Sequence, residues 1–416
     1  MSTELTFQQM EALDRFKKLK VGALFMKMGT GKTRAALELV NYNEVELLLY
    51  LTPYSTIENI TAEIELWGVN CEYKVVGYET IASSDKTYLE LLSELDKYEK
   101  KFIIADESIF IKNGLTKRFK RSCTLREKCQ YALILNGTPI VKNEKDIFNQ
   151  MEFLSEKIFN MSYYQFIETF FTKIYKRKWN QEIITNEFYE PNREVFTKII
   201  EPYVYVADLE FNKNEYDDYI WVHFDEWKYE CAKMEVLDKY SDYELDSIIL
   251  LFNLLHKIAS TSEDKNKRVA KYISNKKVIC YCQFLEEVEQ IKSMCDCFVI
   301  TGSTSKKERK SIVEEFKKSE NKPLVLTFGV GSYSLNLQFC DEIVYSSLTF
   351  NFGNLEQSKY RIKRLGQKND IQYTYILSDA GINDMILKNI DKKTSLSEYI
   401  KSQIEEGTIK DVIKNI

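Results

Sequence analysis

Several features that would assign a chain to a specialised class of protein are missing from this sequence. No apolar run in its 416 residues approaches the length that crosses a bilayer, and residues 1–11 do not resemble a targeting signal. Only two histidines are present and the nine cysteines are scattered, so the sequence predicts no disulfide framework and favours a reducing compartment. We therefore expect a cytoplasmic protein that has no membrane partner.

The chain is also poor in proline and has no excess of positive charge. Five prolines beside abundant lysine, isoleucine, tyrosine and asparagine are typical of an AT-rich genome, such as that of a low-GC bacterium or its phage. The net charge of −5 excludes a general electrostatic attraction to nucleic acid, so any such binding must come from local patches. Basic runs occur at 117–121, 173–178 and 306–310, and each is either part of such a patch or ordinary solvated surface.

The composition that is present is typical of a globular protein with two or three full cores. Apolar residues make up 44% of the chain and charged residues 29%. Short β-rich runs alternate with helical segments in both halves, which predicts parallel sheets covered by helices on both faces. These runs are 46–52, 74–78, 102–106 and 131–136 in the first half and 277–282, 297–301, 324–327, 342–345 and 372–377 in the second.

This alternation predicts two α/β domains with a boundary near residue 210. The first, residues 1–210, includes an insertion from about residue 143. The aromatic-rich, charged segment 143–271 is interpreted as mostly helical, with one strand near 219–224. The second domain, residues 211–416, ends in a helix at 395–416 that either braces the two domains or binds a partner.

A glycine turn near the N-terminus predicts a phosphate-binding loop. An apolar stretch from Leu24 leads into the run Lys27-Met28-Gly29-Thr30-Gly31-Lys32-Thr33, and a helix-forming segment follows at once. The glycines allow successive N–H groups to face phosphate oxygens at the positive end of a helix. Lys32 would then reach the outer phosphates and Thr33 a magnesium ion. Met26 stands where the strict pattern has glycine, and the alternative is a glycine turn before an ordinary helix.

A second motif places two adjacent carboxylates at the end of a strand. Asp106 and Glu107 follow the apolar run 102–105, and ligands bind at the C-terminal edge of open parallel sheets. Asp106 would anchor the magnesium ion of ATP, and Glu107 would orient or deprotonate the attacking water. Such a pair can also be a solvated turn, but the phosphate loop upstream favours the catalytic interpretation.

The motifs, in their order along the chain, resemble those of superfamily 2 helicases and, within them, the Swi/Snf-like DNA translocases. Residues 106–113, Asp-Glu-Ser-Ile-Phe-Ile-Lys-Asn, resemble the family's Asp-Glu-Ala-His-Arg-Ile-Lys-Asn. Residues 135–140, Leu-Asn-Gly-Thr-Pro-Ile, resemble its Leu-Thr-Gly-Thr-Pro-Ile, and residues 357–367 resemble its Gln-x-x-x-Arg-x-x-Arg-x-Gly-Gln. The resemblance covers nearly the whole chain. It implies two tandem RecA-like domains that hydrolyse ATP with Mg²⁺ and act on nucleic acid, with double-stranded DNA favoured.

The resemblance also implies roles for individual residues. Gln9 would bind the adenine, and Gln357, Arg361 and Arg364 would face the nucleotide from the second domain. Arg361 and Arg364 would share a helix face and stabilise charge on the transferred phosphoryl group, the alternative being a solvated basic face. The residues implied to contact the nucleic-acid backbone are Thr52, Pro53, Tyr78, Gly137, Thr138, Gly302, Ser303, Thr304, Thr327 and Asn336.

Some positions depart from the family pattern. Ile109 and Phe110 stand where the family has histidine and arginine, so the polar coupling that usually passes through them must run by another route. Ser332 and Ser334 replace glycines, and Lys27 replaces an acidic residue. None of these changes removes a phosphate or magnesium contact.

Two further sets of residues have alternative interpretations. The Cys-x-Cys pairs at 280–282 and 295–297 could supply four thiolates to zinc. Both pairs lie in or beside predicted strands, so packing in the core is the favoured interpretation. His223 and His256 have no serine or carboxylate arrangement that predicts nucleophilic catalysis, and we interpret them as structural.

We therefore expect a nucleic-acid-dependent ATPase that translocates along double-stranded DNA as its domains close over ATP and open after hydrolysis. One alternative is a strand-separating helicase for DNA or RNA, which would need a wedge hairpin that the sequence does not identify. The other is an ATP-dependent nucleic-acid-binding protein that closes without efficient turnover. Which protein partners the chain has is not determined by the sequence.

Overall fold

The computed structural model describes residues 4–416 except 138–143, 179–180, 210, 225–226, 240–244, 333–334, 365 and 392–395. The chain divides into two compact units, Met1–Glu210 and Phe211–Ile416. Each unit is built around one six-stranded sheet, and all strand pairs within both sheets are parallel. Helices cover both sheets, so the expected fold of two RecA-like α/β domains is confirmed.

The first unit contains nine helices and eight strands within its described residues. The helices are α1 (Phe7–Phe16), α2 (Lys32–Tyr42), α3 (Ile57–Trp67), α4 (Tyr78–Ser83), α5 (Asp85–Leu95), α6 (Lys117–Glu127), α7 (Lys145–Leu154), α8 (Tyr163–Phe170) and α9 (Arg193–Ile200). The strands are β1 (Val21–Met26), β2 (Leu47–Thr52), β3 (Glu72–Gly77), β4 (Lys101–Asp106), β5 (Tyr131–Asn136), β6 (Phe171–Lys178), β7 (Gln181–Phe188) and β8 (Val204–Ala207).

The sheet of the first unit has the strand order β3-β2-β4-β5-β1-β8. Its central strands are buried on both faces, which explains why they are continuous apolar runs. Ile103 packs into the core on one face and Ile104 into the core on the other. Because all six strands run the same way, the ends of β1, β4 and β5, where the predicted motifs begin, meet at one edge of the sheet.

The insertion after residue 143 differs in part from its sequence-based prediction. Helices α7, α8 and α9 form, but β6 and β7 make a two-stranded antiparallel hairpin that the sequence analysis did not identify. An aromatic cluster supports the base of this hairpin, with Phe166 within 5.7 Å of both Phe170 and Phe171, ring centre to ring centre. Phe188, at the end of β7, packs on Phe196 of α9. The hairpin was missed because its first strand is dominated by lysine and arginine, which indicated only a basic run.

The second unit contains nine helices and six strands within its described residues. The helices are α10 (Trp227–Lys239), α11 (Leu245–Ser260), α12 (Glu263–Ile273), α13 (Leu285–Met294), α14 (Lys306–Lys318), α15 (Phe352–Lys359), α16 (Gly381–Asp391), α17 (Leu396–Glu405) and α18 (Ile409–Asn415). The strands are β9 (Glu215–Val222), β10 (Ile279–Cys282), β11 (Phe298–Ile300), β12 (Leu324–Thr327), β13 (Glu342–Tyr345) and β14 (Ile371–Ser378).

The sheet of the second unit has the strand order β11-β12-β10-β13-β14-β9. Tyrosines from neighbouring strands stack across one face of it. The ring of Tyr375 lies 4.6 Å from Tyr219 and 4.9 Å from Tyr345, centre to centre. The C-terminal helices α17 and α18 contribute buried side chains such as Ile400 and Ile413 to this unit's own core. Leu396–Glu405 and Ile409–Asn415 are therefore helical, as expected for the end of the chain, and both helices pack against their own unit.

Most cysteines and one histidine of the second unit are buried. Cys280 and Cys282 are fully buried and Cys295 is nearly so. His256 is buried between the rings of Phe284 and Phe350, and this burial lowers its pKa to about 3. The positions of Cys280, Cys282, Cys295 and His256 agree with the structural interpretation, whereas His223 is exposed and its Nδ1 lies 3.2 Å from an Asp379 carboxylate oxygen. None of the helices in the described part of the chain is long and apolar enough to span a bilayer.

Candidate functional site

The predicted phosphate loop joins the end of β1 to the start of α2. Gly29 has φ 84° and Gly31 φ 78°, a left-handed conformation that favours glycine. The Thr30 hydroxyl donates to the Lys27 carbonyl at 2.7 Å and closes the turn. Because Gly31 is the N-cap of α2, no side chain caps the first N–H groups of this helix. The loop thus presents a helix N-terminus of the kind that binds phosphate.

Gln9 fastens α1 to this loop. Its amide oxygen accepts from the Thr6 backbone N–H at 2.9 Å, and its amide nitrogen lies 3.4 Å from the Thr30 carbonyl and 3.3 Å from that of Gly31. The side chain is only 4% exposed. Both ends of the amide are therefore engaged, and binding of adenine by Gln9 would require these bonds to be exchanged.

Strand β4 delivers Asp106 and Glu107 beside the loop, as the sequence predicts. The Lys32 ammonium lies 3.8 Å from a Glu107 carboxylate oxygen, and both side chains are largely shielded from solvent. Glu107 has φ 48° and ψ 55°, a left-handed conformation that is rare for a residue with a side chain. Backbone strain of this kind concentrates at functional sites.

Tyr50 is a residue of this site that the sequence analysis missed. It is fully buried on β2, and its hydroxyl donates to the Asp106 carboxylate at 3.3 Å. The Thr33 side chain lies close enough to the same hydroxyl to lower its pKa, which burial raises well above the usual value. Tyr50 therefore joins the two residues that were predicted to hold magnesium. The signal that could have identified it is a single tyrosine inside the otherwise aliphatic run of β2.

The electrostatics of Asp106 fit a cation site. The pKa of this carboxyl is raised to about 7, chiefly by burial; Lys32 opposes the rise and Glu107 adds to it. A divalent cation would stabilise the ionised form against the same burial. Magnesium in nucleotide sites takes one or two protein oxygens and completes its shell with phosphate and water, so Thr33 and Asp106 are sufficient donors.

The turn after Glu107 links the Asp-Glu motif to the end of β5. Ser108 donates to the Gln150 amide oxygen at 2.6 Å, and the Asn136 amide nitrogen lies 3.4 Å from the Ser108 hydroxyl. All three residues are buried. The polar contact between these two motifs is therefore made by Ser108, one residue before Ile109. Gly137 follows Asn136 at this edge, and Thr138 lies outside the described residues.

Four of the side chains expected to contact nucleic acid are buried, namely Thr52, Pro53, Tyr78 and Thr327. Thr52 shares a hydrogen bond of 2.6 Å with Thr56, and the Tyr78 hydroxyl donates to the Asp106 carbonyl at 2.8 Å. The expectation is therefore corrected: these side chains complete the interior at the strand ends and do not present themselves to a ligand. The neighbouring Tyr54, by contrast, is 55% exposed.

In the second unit, Gly302 and Ser303 are exposed between β11 and α14, and Thr304 is partly exposed. The Thr304 hydroxyl accepts from the Thr301 N–H at 3.0 Å, and Arg309 donates to the Thr301 carbonyl at 3.1 Å. These bonds fix a loop that displays small polar groups. Asn336, predicted for the same surface, is also exposed.

Gln357 lies on α15, but the two predicted arginines do not. Helix α15 ends at Lys359, so Arg361 and Arg364 occupy the turns that follow it. The expected shared helix face is therefore wrong. The Arg361 carbonyl accepts from the Leu337 N–H at 3.1 Å, and Arg364 donates to the Tyr360 carbonyl at 2.8 Å. These hydrogen bonds fix the conformation of the two turns, which are not helical.

Ion pairs anchor the arginine segment to the edge strand β9. Lys359 lies 3.6 Å from Asp217, and Lys363 pairs with Glu215. Arg361 is only 5% exposed. Arg361 and Arg364 lie close enough to Tyr281 to lower the pKa of its hydroxyl, although burial still raises that pKa to about 12. The segment that carries the arginines is thus fixed from both sides.

Comparisons with known proteins agree with this arrangement. Residues 68–205 match the model of the SNF2-related domain, and residues 264–366 match that of the helicase conserved C-terminal domain. The human DNA annealing helicase and endonuclease ZRANB3 is 20% identical over 92% of this chain and 39% of its own length. The ISWI chromatin-remodeling complex ATPase ISW1 of Saccharomyces cerevisiae is 21% identical over the same shares. The chain thus spans about two fifths of the length of these relatives.

Similar chains are also found among solved structures. The Sulfolobus solfataricus SWI2/SNF2 ATPase core in complex with dsDNA is 21% identical, with a TM-score of 0.42 over 99% of this chain and 97% of that one. An SNF2-related domain and a helicase conserved C-terminal domain thus follow one another along this chain. The chain is thus similar to the ATPases of the SWI/SNF family in both of its matched domains.

Proposed function

We propose that this protein hydrolyses ATP in response to double-stranded DNA and uses each cycle to translocate along the duplex. The observation that carries the proposal is the meeting of Lys32, Asp106 and Glu107 at the glycine loop. A lysine, a buried carboxylate and a strained second carboxylate at a helix N-terminus suit phosphoryl transfer.

The residues of the first unit take the following roles. Lys32 exchanges its contact with Glu107 for the outer phosphates, and the backbone of Met28, Gly29, Thr30 and Gly31 surrounds the phosphate chain. Thr33 and Asp106 hold Mg²⁺, which when bound neutralises charge on the phosphates. Glu107 is then free to orient the attacking water. Gln9 binds adenine if it exchanges its present partners.

The second unit completes the site when the domains close. Gln357 contacts the nucleotide, and Arg361 and Arg364 stabilise the charge that develops on the transferred phosphoryl group. Closure on ATP and reopening after hydrolysis move two DNA-gripping surfaces relative to each other. The exposed groups of Gly302, Ser303, Thr304 and Asn336, with the backbone at Thr52–Pro53 and Gly137, suit phosphate contacts, which are independent of sequence.

We propose double-stranded DNA as the polymer along which the protein translocates, because two relatives are named as a DNA annealing helicase and a chromatin-remodeling ATPase. A bacterial or phage-infected cytoplasm stays our prediction for its location. Strand separation remains a second candidate, since β6 and β7 form a separate two-stranded hairpin and a strand-separating helicase would need a hairpin as its wedge.

Phosphate release, measured with and without duplex DNA, tests the proposal. We expect duplex to accelerate release by the wild-type protein and not by Lys32→Ala, which is the control for contaminating ATPases. Equal rates with and without DNA would favour an ATP-dependent binding protein that does not turn over.

Displacement of a third strand from a blunt triplex then tests translocation, and a forked duplex tests unwinding. Replacing the hairpin residues 172–187 with a short glycine-serine linker should leave triplex displacement intact. Loss of fork unwinding by the same variant would show that the hairpin acts as a wedge.

A further inference from the structure

Phe110 stands where the Swi/Snf-like family has arginine, and its ring stacks on that of Tyr78. Its ring centre lies 5.8 Å from that of Tyr78, with only 10° between the two planes. The guanidinium of Arg118 lies 5.2 Å from the centre of the Phe110 ring, and Arg118 also donates to the Phe110 carbonyl at 3.4 Å. Phe110 is 36% exposed, so part of its ring is open to solvent. The stack fixes the turn that follows the catalytic carboxylates.

Tyr78 connects this stack to the carboxylates themselves. Its buried hydroxyl donates to the Asp106 carbonyl at 2.8 Å. That carbonyl belongs to the peptide between Asp106 and Glu107, which precedes the strained backbone of Glu107. A displacement of Tyr78 would therefore reorient the peptide on which both carboxylates depend.

Tyr78 also belongs to the edge of the sheet that is expected to face nucleic acid. It begins α4, and the adjacent Glu79 carboxylate accepts from the Tyr54 N–H at 2.9 Å. Tyr54 is exposed and directly follows Pro53 at the end of β2. This hydrogen bond connects the two strand-end segments, 52–54 and 78–80. Binding of a nucleic-acid backbone that shifts either segment would therefore shift Tyr78.

We propose that Tyr78 and Phe110 are positioning residues that transmit nucleic-acid binding to the Asp106-Glu107 peptide, in place of the polar residues that the family has at 109 and 110. This inference rests on the proposed DNA-stimulated ATPase activity. The coupling route consists of the Tyr78–Phe110 stack and the Tyr78 hydrogen bond. The contacts of Arg118 with Phe110 restrain the end of this route that is farther from the carboxylates.

The test uses the full chain and compares three variants with the wild type. Phe110→Leu removes the stacking partner, Phe110→Tyr keeps it, and Tyr78→Phe removes only the hydroxyl. Coupling between sites commonly amounts to about fivefold or more, so we expect the DNA stimulation of Phe110→Leu to fall by at least about fivefold while basal hydrolysis is unchanged. Phe110→Tyr should retain stimulation, and Tyr78→Phe should lose it.

Two controls separate coupling from loss of packing. Tyr88 lies under Arg121, 4.5 Å from its guanidinium, and so repeats the aromatic–cation contact without reaching the carboxylates. Tyr88→Leu should keep full stimulation. The double variant of Tyr78→Phe and Phe110→Leu should lose no more than the more affected single variant, because both residues act on one route.

The outcomes are distinguishable. If duplex stimulates the wild type and Phe110→Leu equally, or if Tyr88→Leu loses as much as Phe110→Leu, the inference is overturned while the proposed function stands. If duplex does not stimulate the wild type at all, the proposed function fails and takes this inference with it.

Discussion

At the scale of single residues, the hydroxyl of Tyr50 stands at the centre of the expected magnesium site. It contacts both Thr33 and Asp106 from a fully buried position. A tyrosine there fixes the carboxylate before any ion arrives, which lowers the ordering cost of binding. We therefore regard Tyr50 as a positioning residue of the nucleotide site.

Removing this hydroxyl with Tyr50→Phe should weaken binding of magnesium with a non-hydrolysable ATP analogue. Loss of a hydrogen bond to a charged group costs about 1.5 kcal/mol, or roughly tenfold in affinity. Calorimetric titration measures this affinity without turnover. Tyr131→Phe is the control and should bind normally, because Tyr131 lies at the start of β5, at the edge of the sheet opposite the site. Wild-type affinity in Tyr50→Phe would show that Tyr50 does not position the magnesium ligands.

Because the pKa of Asp106 is raised, we expect the free energy of unfolding of the nucleotide-free protein to depend on pH. The folded carboxyl titrates near 7 and the unfolded one near 3.8, so stability falls as the pH rises between these values. Asp106→Asn cannot ionise. Its melting temperature relative to wild type should therefore be higher at about pH 8 than at about pH 5. The same difference at both pH values would show that Asp106 does not titrate in this range.

At the scale of elements, the regular strands could be predicted from the sequence and the irregular connections could not. The runs 324–327 and 342–345 coincide with β12 and β13, because short aliphatic runs between helices are typical of buried parallel strands. β8 was missed because four residues at a sheet edge carry too little pattern. The turns at Arg361 and Arg364 were taken for helix because spacing alone cannot show that the chain has already left it.

The hairpin of β6 and β7 depends on its aromatic cluster. Phe166 is fully buried and lies within 5.3 Å of Phe148, Phe159 and Phe170, ring centre to ring centre. Phe166→Ala should therefore lower the free energy of unfolding by about 3–5 kcal/mol. Denaturant titration measures this loss.

Tyr164→Ala, on the exposed side of the same helix, provides the comparison. Because Tyr164 is largely exposed, its removal should cost less than about 0.5 kcal/mol. Similar costs for the two substitutions would show that the cluster does not stabilise this region.

At the scale of the whole molecule, each unit carries half of the expected chemistry. The glycine loop and the two carboxylates were predictable because they are contiguous motifs. Tyr50, Ser108 and the Tyr78–Phe110 stack were not, because each acts through neighbours that are distant in sequence. Because the net charge is −5, the proposed contact with DNA would have to be made by local groups.

The proposed mechanism requires arginines of the second unit for hydrolysis. Arg364→Ala tests it through phosphate release at saturating duplex DNA, with Lys368→Ala as the control for loss of one positive charge. We predict that Arg364→Ala lowers the stimulated rate by on the order of a thousandfold while ATP-analogue and DNA binding persist. An unchanged rate in Arg364→Ala would contradict the requirement for this arginine in hydrolysis.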